Sequence, residues 1–150
     1  MKQLLICVLF FCQCAAAQSL PLKNLKINSG FGLRIHPITG EWKIHQGIDL
    51  AARHDTVYSI LDGIIEKVAF DERLGLFVKI RHGGDLETVY GHLSAFYVLP
   101  GDTVRSGDAI GLSGATGRVT GEHLHFAVRY KNEFINPLAY LYGLFKNQTP

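Results

Sequence analysis

Between Val57 and Tyr130, short runs rich in Val, Ile, Phe and Tyr alternate with glycine-bearing turns, and that rhythm leaves no room for a long helix. The runs are residues 57–60, 63–70, 76–81, 86–93 and 124–130. His82-Gly83-Gly84-Asp85 lies between two of them and reads as a hairpin connection, because paired glycines tolerate the positive φ of tight β-turns. Gly101-Asp102 and Ser106-Gly107-Asp108 punctuate the next stretch in the same way. The expected fold class is all-β, mainly antiparallel, with one short C-terminal helix. That helix is predicted over residues 137–144, where Asn136 can cap and Pro137 can occupy the first turn.

The first residues carry a lysine, an apolar run from Leu4 to Phe11 and then Ala15-Ala16-Ala17 before Gln18. A single cation, a short greasy core and an Ala-x-Ala site predict an export signal over residues 1–17 with cleavage after Ala17. A membrane span would need roughly 20 apolar residues, so the processed chain is not expected to be an integral membrane protein. Its expected location is periplasmic or extracellular. Lipidation at Cys12 or Cys14 is disfavoured, because bulky or polar residues stand before each. All three cysteines lie in this leader, so residues 18–150 offer neither a disulfide nor a thiolate ligand. The net charge is +2 and Lys and Arg are scattered along the chain, which predicts no nucleic-acid partner.

His45, Asp49, His123 and His125 are the parts of a mononuclear zinc site. Catalytic zinc takes three protein ligands from imidazole nitrogen and carboxylate oxygen, and keeps a fourth position for water. In a straight strand the Cα atoms of His45 and Asp49 would stand about 13 Å apart at about 3.3 Å per residue, so the backbone is expected to bend between them, at Gly47. His123 and His125 are two apart in a strand-like run and share one sheet face. A third imidazole ligand would fill the open position, so only one of this pair is expected to bind metal. Spacing alone does not say which.

Read in order, several blocks resemble the lysostaphin-type, LytM-like zinc metallopeptidases that cut the peptide part of bacterial peptidoglycan. They are Ser29 to Pro37, His45-Gln46-Gly47-Ile48-Asp49 with Leu50-Ala51-Ala52, Tyr90-Gly91-His92-Leu93-Ser94, Gly114-Ala115-Thr116-Gly117 and Thr120 to Phe126. The resemblance implies the duplicated hybrid motif fold over residues 29–143, preceded by a short segment 18–28 and followed by a tail 144–150. It also implies one zinc per chain held by His45, Asp49 and His125, with His92 and His123 as unligated catalytic histidines. The implied substrates are peptidoglycan stem peptides or cross-bridges. Two departures, Glu122 and Ala127, stand where such proteins often carry a small residue or proline and a glutamate; they bear on substrate preference or packing.

Two rival readings are weaker. Residues 100–111 look like the sheet turns of biotinyl and lipoyl carriers, but Lys67 and Lys79 sit inside strand-like runs rather than at a hairpin tip. A non-catalytic LytM-like activator of a cell-wall amidase would be expected to have lost ligands or catalytic histidines, and all five are present. His36, His54 and His82 fall outside the blocks and are expected at surfaces or turns. Arg34 and Tyr90 are open to substrate contact or to structural roles. Nothing in the sequence sets an oligomeric state, and a monomer is the expectation.

Overall fold

The computed structural model describes residues 18–35 and 38–146. The expected leader, His36 and residues 147–150 lie outside them. The strands among the described residues are Ile27–Ser29 (β1), Gly32–Ile35 (β2), Trp42–His45 (β3), Ile48–Ala51 (β4), Thr56–Tyr58 (β5) and Gly63–Asp71 (β6). Gly75–Arg81 (β7), Leu86–Phe96 (β8), Thr103–Val104 (β9), Ala109–Ser113 (β10), His123–Tyr130 (β11) and Glu133–Ile135 (β12) follow, then the helix Pro137–Lys146 (α1). One large sheet has the order β1-β4-β11-β8-β7-β6-β9, with β12 beside β11 and with β10 joining β8 to β5. β2 and β3 form a separate two-stranded ribbon. Every pairing is antiparallel, as the turn rhythm predicts.

Period-two alternation decides what each face of the large sheet carries. On β11, Leu124, Phe126 and Val128 point into the main core, where they meet Ile48, Leu50, Tyr90, Val78 and Ile80. Burying side chains of this size is worth about 1.5 to 3 kcal/mol each. The alternate residues, His123, His125 and Ala127, face the other way. There a second, smaller apolar cluster forms from Phe77, Val89 and Ala127. The metal-bearing face is therefore backed by the main core, and the smaller cluster lies beside the histidines on that face.

Differences from the sequence reading have local causes. The run at Val57 stops being strand after Tyr58, and the Ile60 amide donates to the Tyr90 hydroxyl at 3.2 Å instead of to a neighbouring strand. Tyr90 is fully buried, so its role is structural. α1 starts as predicted, with Asn136 Oδ1 accepting from Leu138 N at 3.0 Å. It runs on to Lys146 rather than yielding to a tail at Leu144, because Leu144 still packs against the core.

His82 departs most clearly, being buried rather than exposed at its turn. Its Nδ1–H donates to the Asp62 carbonyl at 2.8 Å, and its Nε2 lies 2.8 Å from the Thr88 hydroxyl. That pattern suits a neutral ring, and burial pushes its pKa down against the opposing pull of the Asp62 carbonyl. A histidine whose folded pKa is depressed contributes stability above its unfolded value of about 6.5, and loses it as pH falls from there through the folded value. His82→Gln is therefore expected to cost about 1 to 3 kcal/mol at pH 7.5, with the deficit relative to wild type shrinking as the zinc-loaded proteins are unfolded in urea at successively lower pH. A deficit that stays constant with pH would refute this account.

Candidate metal centre

His45 ends β3 in the ribbon and Ile48 begins β4 in the large sheet, so the chain changes sheets at Gln46-Gly47. This is the expected bend. Glycine is required there for space and not for a positive φ: a Cβ on Gly47 would lie 2.6 Å from His125 Cε1 and 2.7 Å from the Phe126 carbonyl oxygen. Asp49 then pairs directly across from His125 in the β4–β11 register, and His125 in turn faces Gly91 on β8. Directly opposed residues in an antiparallel pair project to the same side.

His45 Nε2, Asp49 Oδ1 and His125 Nδ1 converge, with His45 to Asp49 at 3.2 Å, His125 to Asp49 at 3.0 Å and His45 to His125 at 3.2 Å. A tetrahedral zinc with bonds of about 2.1 Å sets its donors about 3.4 Å apart, so two imidazoles and a carboxylate at these separations fit that metal. His45 and Asp49 are also oriented from behind, as metal ligands commonly are. His45 Nδ1–H donates to the Gly30 carbonyl at 2.7 Å, leaving Nε2 for the ion. Arg34 holds the other Asp49 oxygen, Oδ2, at 3.4 Å, so Arg34 supports the ligand set.

Electrostatics favour the charge states that a metal needs. Burial alone would raise the Asp49 carboxyl, but hydrogen bonds from His123, His125 and His45 outweigh it and hold Asp49 well below the usual carboxylate range. Burial pushes His125 down, against the pull of Asp49, and so favours the neutral ring that can donate a lone pair.

His92 and His123 flank this trio, their rings 4.7 Å apart. His123 Nε2 stands 3.5 Å from Asp49 Oδ1, and its Nδ1–H donates to the Gly121 carbonyl at 2.8 Å. On His123 burial works downward, but Asp49 and the Gly121 carbonyl together raise the pKa. His92 would follow Tyr90 into the core if β8 alternated regularly. Instead the β7–β8 register slips between Leu76 and Val78, and His92 takes φ +60°, which turns its ring onto the metal face. Such a bulge, with a non-glycine residue in the left-handed region, is a strained arrangement found at functional sites. Surrounding bonds hold it: His92 N donates to the Leu74 carbonyl at 2.7 Å and Nδ1–H to the Thr116 carbonyl at 2.8 Å. Burial pushes the His92 ring down to about 4, so it is neutral with Nε2 open to the cleft.

All five expected site residues thus meet in one cleft, about 810 Å³ in volume, except that only His45, Asp49 and His125 bring donor atoms into a common ligand set. The sequence reading missed the supporting groups, Gly30, Thr116 and Gly121, because each acts through a backbone carbonyl that leaves no side-chain signature. His54 is exposed and pairs with Glu122, His54 Nδ1 lying 3.1 Å from Glu122 Oε1.

Comparison with known proteins agrees with this geometry. Residues 43–137 match Peptidase family M23. The chain is 44% identical over 120 residues to a protein of Neisseria meningitidis described as DD-carboxypeptidase/endopeptidase Mpg, covering 79% of this chain and 28% of that protein. It is 39% identical over 119 residues to the peptidoglycan DD-endopeptidase ShyC of Vibrio cholerae, covering 78% of this chain and 28% of the other. This chain therefore spans little more than a quarter of the length of these relatives. Among solved structures, a zinc-containing peptidase from Vibrio cholerae superposes with a TM-score of 0.75 at 38% identity, over 80% of this chain and 39% of that one. The catalytic domain of lysostaphin from Staphylococcus simulans gives 0.72 at 30% identity, over 79% and 93%. The chain belongs to peptidase family M23.

Proposed function

We propose that this protein is an extracytoplasmic zinc endopeptidase that hydrolyses amide bonds in the peptide crosslinks of bacterial peptidoglycan. The observation that carries the reading is the pairing of a complete three-donor set with two further imidazoles whose Nδ1 atoms are tied to backbone carbonyls. Zinc held by His45, Asp49 and His125 supplies Lewis acidity toward an amide carbonyl and lowers the pKa of water to about 7. His92 and His123 handle protons: one Nε2 accepts from the attacking water, and the other donates to the developing oxyanion or the leaving amine. The relatives described as peptidoglycan endopeptidases support the substrate class. An export signal over residues 1–17 would bring the enzyme to that substrate.

The test is digestion of purified sacculi by the zinc-loaded protein. New amino termini and freed stem peptides are expected, and a chelator should abolish their release. New reducing sugar ends without new amino termini would overturn the proposal, since glycosidases commonly use a carboxylate pair. A protein carrying full zinc yet releasing nothing would instead fit the non-catalytic activator.

A further inference from the structure

We propose that the cleft beside the metal centre reads a free carboxylate on the substrate, through Arg73 and Arg118 aided by Lys67, so that the preferred bond is flanked by an acidic residue. This rests on the endopeptidase reading and narrows its substrate from any crosslink to an anionic peptide. A bridge built of glycine alone would lack the recognised group.

Five cations line the cleft, Arg34, Lys43, Lys67, Arg73 and Arg118, against two carboxylates, Asp49 and Asp71. Both acids are already engaged. Asp49 is shared between Arg34 and the histidines. Asp71 Oδ1 accepts from the Arg73 and Leu74 amides at 2.8 and 2.9 Å. Lys43 pairs with Glu41 at 3.0 Å, but Lys67, Arg73 and Arg118 make no ion pair among the described residues. Three cations without an ion-pair partner among the described residues therefore lie where a substrate would lie.

The same sheet face shows the contrary pattern farther from the metal. There Arg129 pairs with Glu87 at 2.8 Å, and Lys79 pairs with Glu87 at 3.0 Å and Glu66 at 3.3 Å. Arg129 and Lys79 are thus matched with acids there, whereas Lys67, Arg73 and Arg118 stay unmatched within the cleft. A cation without an ion-pair partner gains one when an anion arrives.

Geometry ties these cations to the reacting centre. Arg118 N donates to the Arg73 carbonyl at 3.2 Å. A Cβ on Gly117 would come within 2.3 Å of Gly75 N, so the two arginine-bearing loops are pressed together. Leu74, next to Arg73 in the chain, and Thr116, two residues before Arg118, are the residues whose carbonyls hold His92. A carboxylate gripped here is thereby set in register with the scissile amide. Guanidinium groups suit the task because their forked donors match a carboxylate bidentately. Phe77, Val89 and Ala127 add an uncharged part to the same lining.

The test compares two synthetic crosslinked peptides that differ only in whether the acids flanking the scissile amide are free or carboxamide, using zinc-loaded protein. Wild type is expected to favour the free acid by about 10- to 100-fold in kcat/KM, chiefly through KM, with the preference shrinking as salt is added. In the Arg73→Gln/Arg118→Gln double variant the ratio should collapse toward one, whereas Arg73→Lys/Arg118→Lys should retain part of it. Equal cleavage of both peptides by wild type, or an undiminished preference in the glutamine variant, would overturn this inference while leaving the endopeptidase reading intact. Cleavage of neither peptide by zinc-loaded wild type would overturn that reading, and the inference with it.

Discussion

His123→Ala is expected to bind zinc like wild type and to lose about two orders of magnitude or more of peptidase activity, and His92→Ala to do the same. Proton transfer by a positioned side chain is worth roughly 10² to 10⁴ in rate, and an oxyanion donor roughly 10² to 10³. His125→Ala should instead fail at metal binding, because it removes one of the three convergent donors. The comparison is sharp because His123 and His125 share strand, face and residue type, yet only His125 belongs to the convergent donor set. Metal analysis on all three purified variants, beside a crosslink assay, separates the roles. Zinc lost from His123→Ala and kept by His125→Ala would exchange the two assignments.

A single methyl group at Gly47 should be nearly as damaging. In Gly47→Ala the new Cβ would stand within 2.7 Å of both the His125 ring and the Phe126 carbonyl oxygen. β11 cannot retreat, since it is hydrogen-bonded to β4 on one side and β8 on the other. The ring of His125 must therefore rotate off its donor position. We expect zinc affinity to fall at least about 10-fold, as when a ligand's supporting contacts are lost, with activity falling in parallel and excess zinc restoring part of it. Gly30→Ala is the matched control, because a Cβ there meets nothing and the carbonyl that orients His45 is kept. Equal zinc affinity in Gly47→Ala and wild type would sink the steric argument.

The particular residues show what sequence patterns can and cannot carry. His123 and His125 were readable as face-sharing because strand alternation is a local rule, and α1 was readable because Asn136-Pro137 is a local start signal. His92 was named only through the family resemblance: alternation assigns it to the core beside Tyr90, and a register slip against β7 turns it outward. The ribbon was missed for a different reason. Leu33, Ile35, Trp42 and Ile44 remain exposed, so its apolar residues do not mark a buried face. The cations of the cleft, scattered along the chain, are gathered only when the 71–75 and 114–119 loops pack together.

The ligand set also bears on how the chain is held closed. His45 and His125 are 80 positions apart, and residues 18–150 contain no cysteine. A disulfide spanning a loop of that length would be worth about 4.5 kcal/mol in the chain-entropy picture. A zinc ion joining the ribbon to β4 and β11 tethers the same distant points. With no cysteine in residues 18–150 to form a covalent bridge, an ion held by His45, Asp49 and His125 would serve as a cross-link as well, and the cost of losing it would fall on the fold together with the chemistry.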